Sequence, residues 1–205
     1  MGVRLSDYYE IDFRQVHTSK SGDAIGIRYQ NGINWYVHLV DGGYTSTAEQ
    51  VAQFIRTAYG TGLIDHVVVT HPDKDHAEGL APILEQFNVG VLWMLCPWHY
   101  TGQLFPYFPQ YQSVASLVKR LQDEYPYIHE LEKIATRRGI PILEPFQGAK
   151  IGAFTVLAPS PERYLRHRGG FVLTTENTPV IMQRNSSRTW NVIENVAYPD
   201  EQEED

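Results

Sequence analysis

The chain has 205 residues, 42% hydrophobic and 20% charged: enough apolar content for a sizeable core, and not the composition of a disordered chain. Its formal net charge of −7 works against a standing grip on nucleic acid, which needs clustered Lys and Arg. Part of that charge sits in the final run Asp200-Glu201-Gln202-Glu203-Glu204-Asp205, so a local basic groove elsewhere is not excluded. A single cysteine, Cys96, rules out an intramolecular disulfide and multi-thiolate zinc clusters, and its apolar neighbours Val91 to Leu95 mark it as a buried structural thiol. The segment Met1 to Gln15 has no long apolar run, and no stretch approaches the roughly 20 apolar residues of a membrane span. The expectation is a cytoplasmic protein with no membrane partner.

Tyr9 to Val16 alternates with period two, as a strand exposed on one face does. A turn at Ser21-Gly22 leads to a second strand, Ala24 to Tyr29, and Asn31-Gly32 reads as a hairpin turn because both residues tolerate positive φ. The third strand, Trp35 to Val40, ends at Asp41-Gly42-Gly43. The period then changes. Ser46 and Glu49 have capping-box spacing, and Ala48, Val51, Ile55 and Ala58 follow as a helical stripe that ends near Gly60. His66 to Thr70 is a β-branched run suited to a strand buried on both faces, and it leads directly into His71.

Leu80, Ile83, Leu84 and Phe87 predict a helix with Pro82 in its first turn, followed by a buried strand from Val91 to Leu95. Pro97 to Pro109 reads as an aromatic loop. Val114, Leu117, Val118 and Leu121 stripe one helix; Ile128, Leu131 and Ile134 stripe another after Pro126, closed by Arg137-Arg138-Gly139. A strand at Ile151 to Leu157 and a helix starting at Pro161 complete the pattern, which fades beyond Thr174. These elements predict an α/β fold in which helices cover a sheet.

The chemistry concentrates in His71-Pro72-Asp73-Lys74-Asp75-His76, four ligand-type side chains in a six-residue loop at the end of a strand. Imidazole with carboxylate suits zinc, manganese or iron(II). The spacing suits two adjacent ions better than one, His71 and Asp73 on the first and Asp75 and His76 on the second. Such a pair, about 3.5–4 Å apart, supports hydrolysis by an activated hydroxide, which Asp75 would also orient as the catalytic residue. The plain alternative is a polar loop whose aspartate caps the next helix.

The motif resembles the metallo-β-lactamase signature His-x-His-x-Asp-His, with Asp73 in place of the second histidine. Asp41-Gly42-Gly43 matches the first motif of that superfamily, whose aspartate commonly braces the metal loop. Thr70 to Leu80, with Ser21-Gly22-Asp23-Ala24 upstream, is most similar to the branch that includes the hydrolase domain of bacterial competence DNA-uptake proteins. The resemblance implies an αββα sandwich, in whole or as one half, two divalent metals (zinc or manganese), and hydrolysis of phosphodiester bonds in nucleic acid or a nucleotide. Acyl or thioester hydrolysis is the alternative chemistry.

The later Gly-Asp and His-His-Gly-Ser-like segments of that branch have no counterpart here, so residues 1–186 cover the N-terminal half of the family pattern, with 187–205 as an acidic, disordered tail. Three readings follow: a metallo-hydrolase, a catalytically incomplete half-domain completed by a second chain or by self-association, or a piece of a longer enzyme. Among the other polar residues, His99 is expected as a residue of the aromatic loop, with a place near the metals as its alternative, and His17 sits at a strand end that could edge the site. His38 is expected on an exposed strand face and His66 at a strand's start. Lys74 is expected in solvent or against a substrate phosphate, and Arg163, Arg166, His167 and Arg168 on a solvated helix.

Overall fold

The computed structural model describes residues 8–16 and 22–166, with the backbone of two short strands beyond them. It divides into two units, residues 1–158 and 159–205. The first unit holds a six-stranded sheet: β1 (Tyr9–Phe13), β2 (Ile25–Asn31), β3 (Asn34–Val40), β4 (Leu63–Val68), β5 (Asn88–Trp93) and β6 (Ile142–Leu143), lying side by side in sequence order. β1, β2 and β3 pair antiparallel, while β3 through β6 pair in parallel. In the second unit, α7 (Pro161–Arg166) starts at the expected proline, and β9 (Met182–Arg184) pairs antiparallel with β10 (Trp190–Val192). The expected start of the acidic tail at residue 187 lies outside the described residues, as do His17, Ser21, His167 and Arg168.

Parallel neighbours need crossovers, and helices supply them. α1 (Ala48–Ala58) joins β3 to β4, and α2 (Lys74–Ala77) with α3 (Leu80–Gln86) joins β4 to β5. α4 (Thr101–Leu104), α5 (Val114–Glu124) and α6 (Pro126–Arg138) lie between β5 and β6. Right-handed crossovers that advance in one direction place their helices on one face of the sheet, and accordingly α1 packs against α3 and α3 against α6. Beneath them, Leu39, Val67 and Leu92 form one row across β3, β4 and β5, each fully buried. Each contributes roughly 1.5–3 kcal/mol by leaving water. Ala48, Val51 and Ile55 of α1 and Leu80, Ile83 and Leu84 of α3 close the core from above. Arg138 binds the carbonyls of Leu84 and Phe87 where α3 ends, giving its orphan acceptors a cationic partner.

The opposite face carries the rows Tyr9–Tyr29–Tyr36, Ile11–Ile27–His38–His66 and Phe13–Ile25–Val40–Val68. A small hairpin, β7 (Lys150–Ile151) and β8 (Phe154–Thr155), covers its middle. The Phe154 ring lies 5.7 Å from Tyr29 and 5.4 Å from His38, and Ala153 N–H donates to Tyr29 Oη at 3.0 Å. At the β1 edge, Phe13 is 78% exposed.

Several sequence expectations change. His38 is 2% exposed, not on a solvated face, because the hairpin roofs it. β4 begins at Leu63 and is not buried on both faces throughout: Ile64 and Val67 are fully buried, while His66 and Val68 are half-buried. The β2–β3 turn is Gly32-Ile33, one residue later than read: Asn31 pairs with Asn34, and only Gly32 has positive φ, the requirement of a type II′ turn. No capping box forms at Ser46. A 3₁₀ turn, Thr45–Thr47, precedes α1, and Glu78 Oε2 takes the Thr45 N–H at 3.1 Å. Ser113 and Ser116 do form a capping box on α5, which the apolar stripe did not signal. The aromatic loop after Pro97 is mostly short helical turns, and Ile151 to Leu157 is a hairpin arm, because Gly152 at φ 58° reverses the chain.

Candidate metal centre

Three parallel strands end on the same edge of the sheet, where the carboxyl ends of α/β strands place ligand-binding groups. Asp41 follows β3, and Thr70-His71 follows β4. Asp41 has φ 57°, the one positive value at a non-glycine among the described residues, which turns its side chain to the loop after β4. Its Oδ1 accepts the Thr70 N–H at 2.8 Å, and its Oδ2 accepts the Thr70 hydroxyl at 2.5 Å and faces His76 Nδ1 at 2.8 Å. The carboxylate is 3% exposed. With its oxygens engaged in this way, Asp41 orients the loop and fixes the His76 ring, leaving Nε2 as that ring's outward nitrogen.

Backbone contact locks the same geometry. Gly42 N–H donates to His76 O at 2.8 Å and Gly79 N–H to Gly43 O at 2.8 Å. A Cβ on Gly79 would stand 2.0 Å from Gly42 O, so the two backbones can meet only without side chains. α2 is a single turn whose N-terminal position is held by Asp73; Asp73 O accepts from His76 and Ala77, and its side chain makes no capping bond. The plain reading of that aspartate as a helix cap therefore lacks its defining hydrogen bond.

One ligand atom from each of Asp41, His71 and His76 lies within 4.8 Å of the other two, while Asp73 approaches His71 and Asp75 approaches His76. The rings of His71 and His76 are 3.7 Å apart by centroid. His71 Nδ1 is held by Thr70 Oγ1 at 2.9 Å, and its Nε2 lies 3.9 Å from Asp73 Oδ2. His76 Nε2 lies 3.9 Å from Asp75 Oδ2 and 3.8 Å from Asp23 Oδ2. Burial, then the neighbouring His76, holds the His71 imidazole below its ordinary pKa. Burial also disfavours the charged form of His76, but the hydrogen bond and charge of Asp41, joined by Asp75 and Asp23, outweigh it and raise the value.

Nitrogen–oxygen separations of 3.8–3.9 Å are too long for hydrogen bonds. They fall within the roughly 4.1 Å that two ligands, each about 2.0–2.1 Å from one ion, can span. The donor set fits divalent metal. Asp23 is the member that the sequence reading passed over, having quoted it only within a motif. Its backbone is tied in, since Asp23 N–H donates to Asp75 O at 3.1 Å and Asp23 O accepts from Gly43 at 2.8 Å. No spacing rule links residue 23 to residue 76; only the β2–β3–β4 pairing does.

The other candidate polar residues make different contacts. His99 meets Glu132 at 2.9 Å, and His66 accepts from Trp93 Nε1 at 3.1 Å within β4. Lys74 pairs with Glu78 at 3.4 Å on an exposed helix turn. Arg163 is exposed on α7. Among the described residues, no helix is long and apolar enough to cross a membrane.

No family model matches this chain, and no curated protein does. Among solved structures the chain is similar to a Thermotoga maritima protein described as "a putative metallo-beta-lactamase", with 11% identity and a TM-score of 0.37. The alignment covers 70% of this chain and 62% of that one, so this chain spans less than two thirds of that protein's length.

Proposed function

We propose that the chain is a metallo-β-lactamase-like, metal-dependent hydrolase whose substrate is a phosphodiester in nucleic acid or a nucleotide. The observation that supports this most is the pair of outward Nε2 atoms, on His71 and His76, each facing carboxylate oxygen at 3.8–3.9 Å above a loop braced by buried Asp41. His71 and Asp73 would hold one ion, and Asp75 and His76 the other, with Asp23 beside the second. Two divalent ions held there, zinc or manganese, would supply Lewis acidity for hydrolysis and offset the negative charge of a phosphodiester. Asp75, 19% exposed and 3.9 Å from His76 Nε2, is the carboxylate that would orient the attacking oxygen. Thr70 and Asp41 keep each imidazole in one orientation, so no ligand must reorganise when substrate arrives.

The test is metal content by elemental analysis, followed by hydrolysis of bis(p-nitrophenyl) phosphate and of DNA with manganese or zinc. The expected result is bound metal and turnover that His76→Ala abolishes and Asp75→Asn reduces at least roughly a hundredfold. A folded protein that takes up neither metal overturns the reading. Cleavage of a thioester with no action on phosphodiesters would move the chemistry to acyl transfer on the same site.

A second reading is favoured by the open sheet face. Tyr9, Ile11 and Phe13 are 52%, 53% and 78% exposed on the side away from the helices. Apolar side chains in such a row mark an interaction surface. In this reading the chain is a half-domain completed by a second chain or another copy of itself, and a stable monomer in sedimentation at high concentration argues against it.

A further inference from the structure

One strand away from the His71 loop, a second group of ligand-type side chains meets. After β5 the chain folds back through a 3₁₀ turn, Pro97–Tyr100, with Pro97 in its first turn and His99 N–H bound to Cys96 O at 3.0 Å. That turn carries His99 back over Cys96. Glu132 reaches the same place from the middle of α6. A ligand atom from each of Cys96, His99 and Glu132 lies within 4.8 Å of the other two. Glu132 Oε1 accepts from Trp98 Nε1 at 3.0 Å and faces His99 Nε2 at 2.9 Å, so the carboxylate is held in place by a buried indole. Cys96 is 1% exposed, whereas the His99 and Glu132 side chains are 50% and 20% exposed.

We propose that Cys96, His99 and Glu132 form a separate binding site for one zinc-class divalent ion. Thiolate, imidazole and carboxylate together select zinc and its borderline neighbours over magnesium or calcium. Three protein ligands, of which His99 is half-exposed, leave a fourth position that solvent can reach from the His99 side, the pattern of an open zinc site rather than a closed structural one. Binding breaks the Cys96 S–H bond, releases that proton to solvent and leaves the sulfur as the metal-bound thiolate.

The same three residue types could suggest a cysteine nucleophile with its base, but the environment opposes it. Burial, with the charges of Glu132 and Glu144, pushes the Cys96 thiol far above its ordinary value, whereas an activated nucleophile sits where its thiolate is stabilised. A cation at this point reverses the balance, because both carboxylates then favour the ion. The composition rules out only zinc clusters built from several thiolates; one cysteine suffices for a mixed site.

The experiment uses cobalt(II) as a spectroscopic substitute for zinc in the full-length wild-type chain. Cys96 is the chain's one cysteine, so a thiolate-to-cobalt charge-transfer band in the near ultraviolet reports on this site and on no other. Cobalt at His71 and His76 gives no such band, so failure here is distinct from failure of the proposed hydrolase. The expected result is a saturable band, displaced by zinc. His99→Ala and Glu132→Gln, both at partly exposed positions, each weaken cobalt binding roughly tenfold or more. No band at saturating cobalt in folded protein overturns the proposal, and so does a band that either substitution leaves unchanged.

Discussion

Asp41 shows how much one side chain can decide. Its carboxylate joins the end of β3 to the loop after β4 through Thr70 and fixes the ring of His76, all from a left-handed backbone position. Asn tolerates that conformation almost as well as Asp, so Asp41→Asn keeps the turn and removes the charge. Metal affinity measured by calorimetry should fall by about 10–100-fold, as it does when an orienting partner of a ligand is lost. An unchanged affinity would sink the bracing role.

His38 is the opposite case, a buried imidazole whose Nε2 has no hydrogen-bond partner. Burial, with the nearby His66, lowers its pKa to about 3. The unfolded chain therefore binds a proton near pH 6.5 that the folded chain refuses until about pH 3. This contribution to stability is fully present above pH 6.5 and is lost as pH falls toward 3, by roughly 4–5 kcal/mol at most. Urea midpoints between pH 7 and pH 4 should drop less in His38→Leu than in the wild type. Equal slopes in the two proteins would mean that His38 does not control the acid limb.

Elements meet at the site through close backbone approach. Gly42, after β3, and Gly79, before α3, touch so closely that Gly79→Ala must push β3 and α3 apart or distort the loop between. The expected cost is about 1–3 kcal/mol, read as a lowered thermal midpoint, with weakened metal uptake because His76 lies three residues earlier. Leu92→Ala, in the row beneath the helices, is expected to cost about 2–5 kcal/mol while leaving metal affinity within a factor of about two. The contrast between the two variants separates a core contact from one that shapes the site.

Within the first unit, the two faces of the six-stranded sheet differ. The helix-covered face is fully buried at Leu39, Val67 and Leu92, and on the other, among the described residues, the β7–β8 hairpin covers Tyr29 and His38 while Ile11 and Phe13 are exposed. If the open rows are an interface, Phe13→Glu and Ile11→Glu should abolish self-association in sedimentation without lowering the thermal midpoint. Association that survives both substitutions would place the contact elsewhere.

Periodicity alone located most elements, because a strand or helix with one buried face records that face at every second or every three to four residues. The stripes Val51–Ile55, Leu80–Leu84 and Leu131–Ile134 are therefore legible without coordinates, as are the α/β class and the grouping of His71, Asp73, Asp75 and His76 in one loop. Boundaries, caps and exposure were not, because they depend on partners distant in the chain. A 3₁₀ turn bound to Glu78 through Thr45 stands where a capping box was expected at Ser46, and Phe154 packs against His38. The same holds for the meetings of Asp23 with His76 and of Cys96 with Glu132. Local pattern encodes which face a residue takes on its own element, and only tertiary structure decides what stands opposite it.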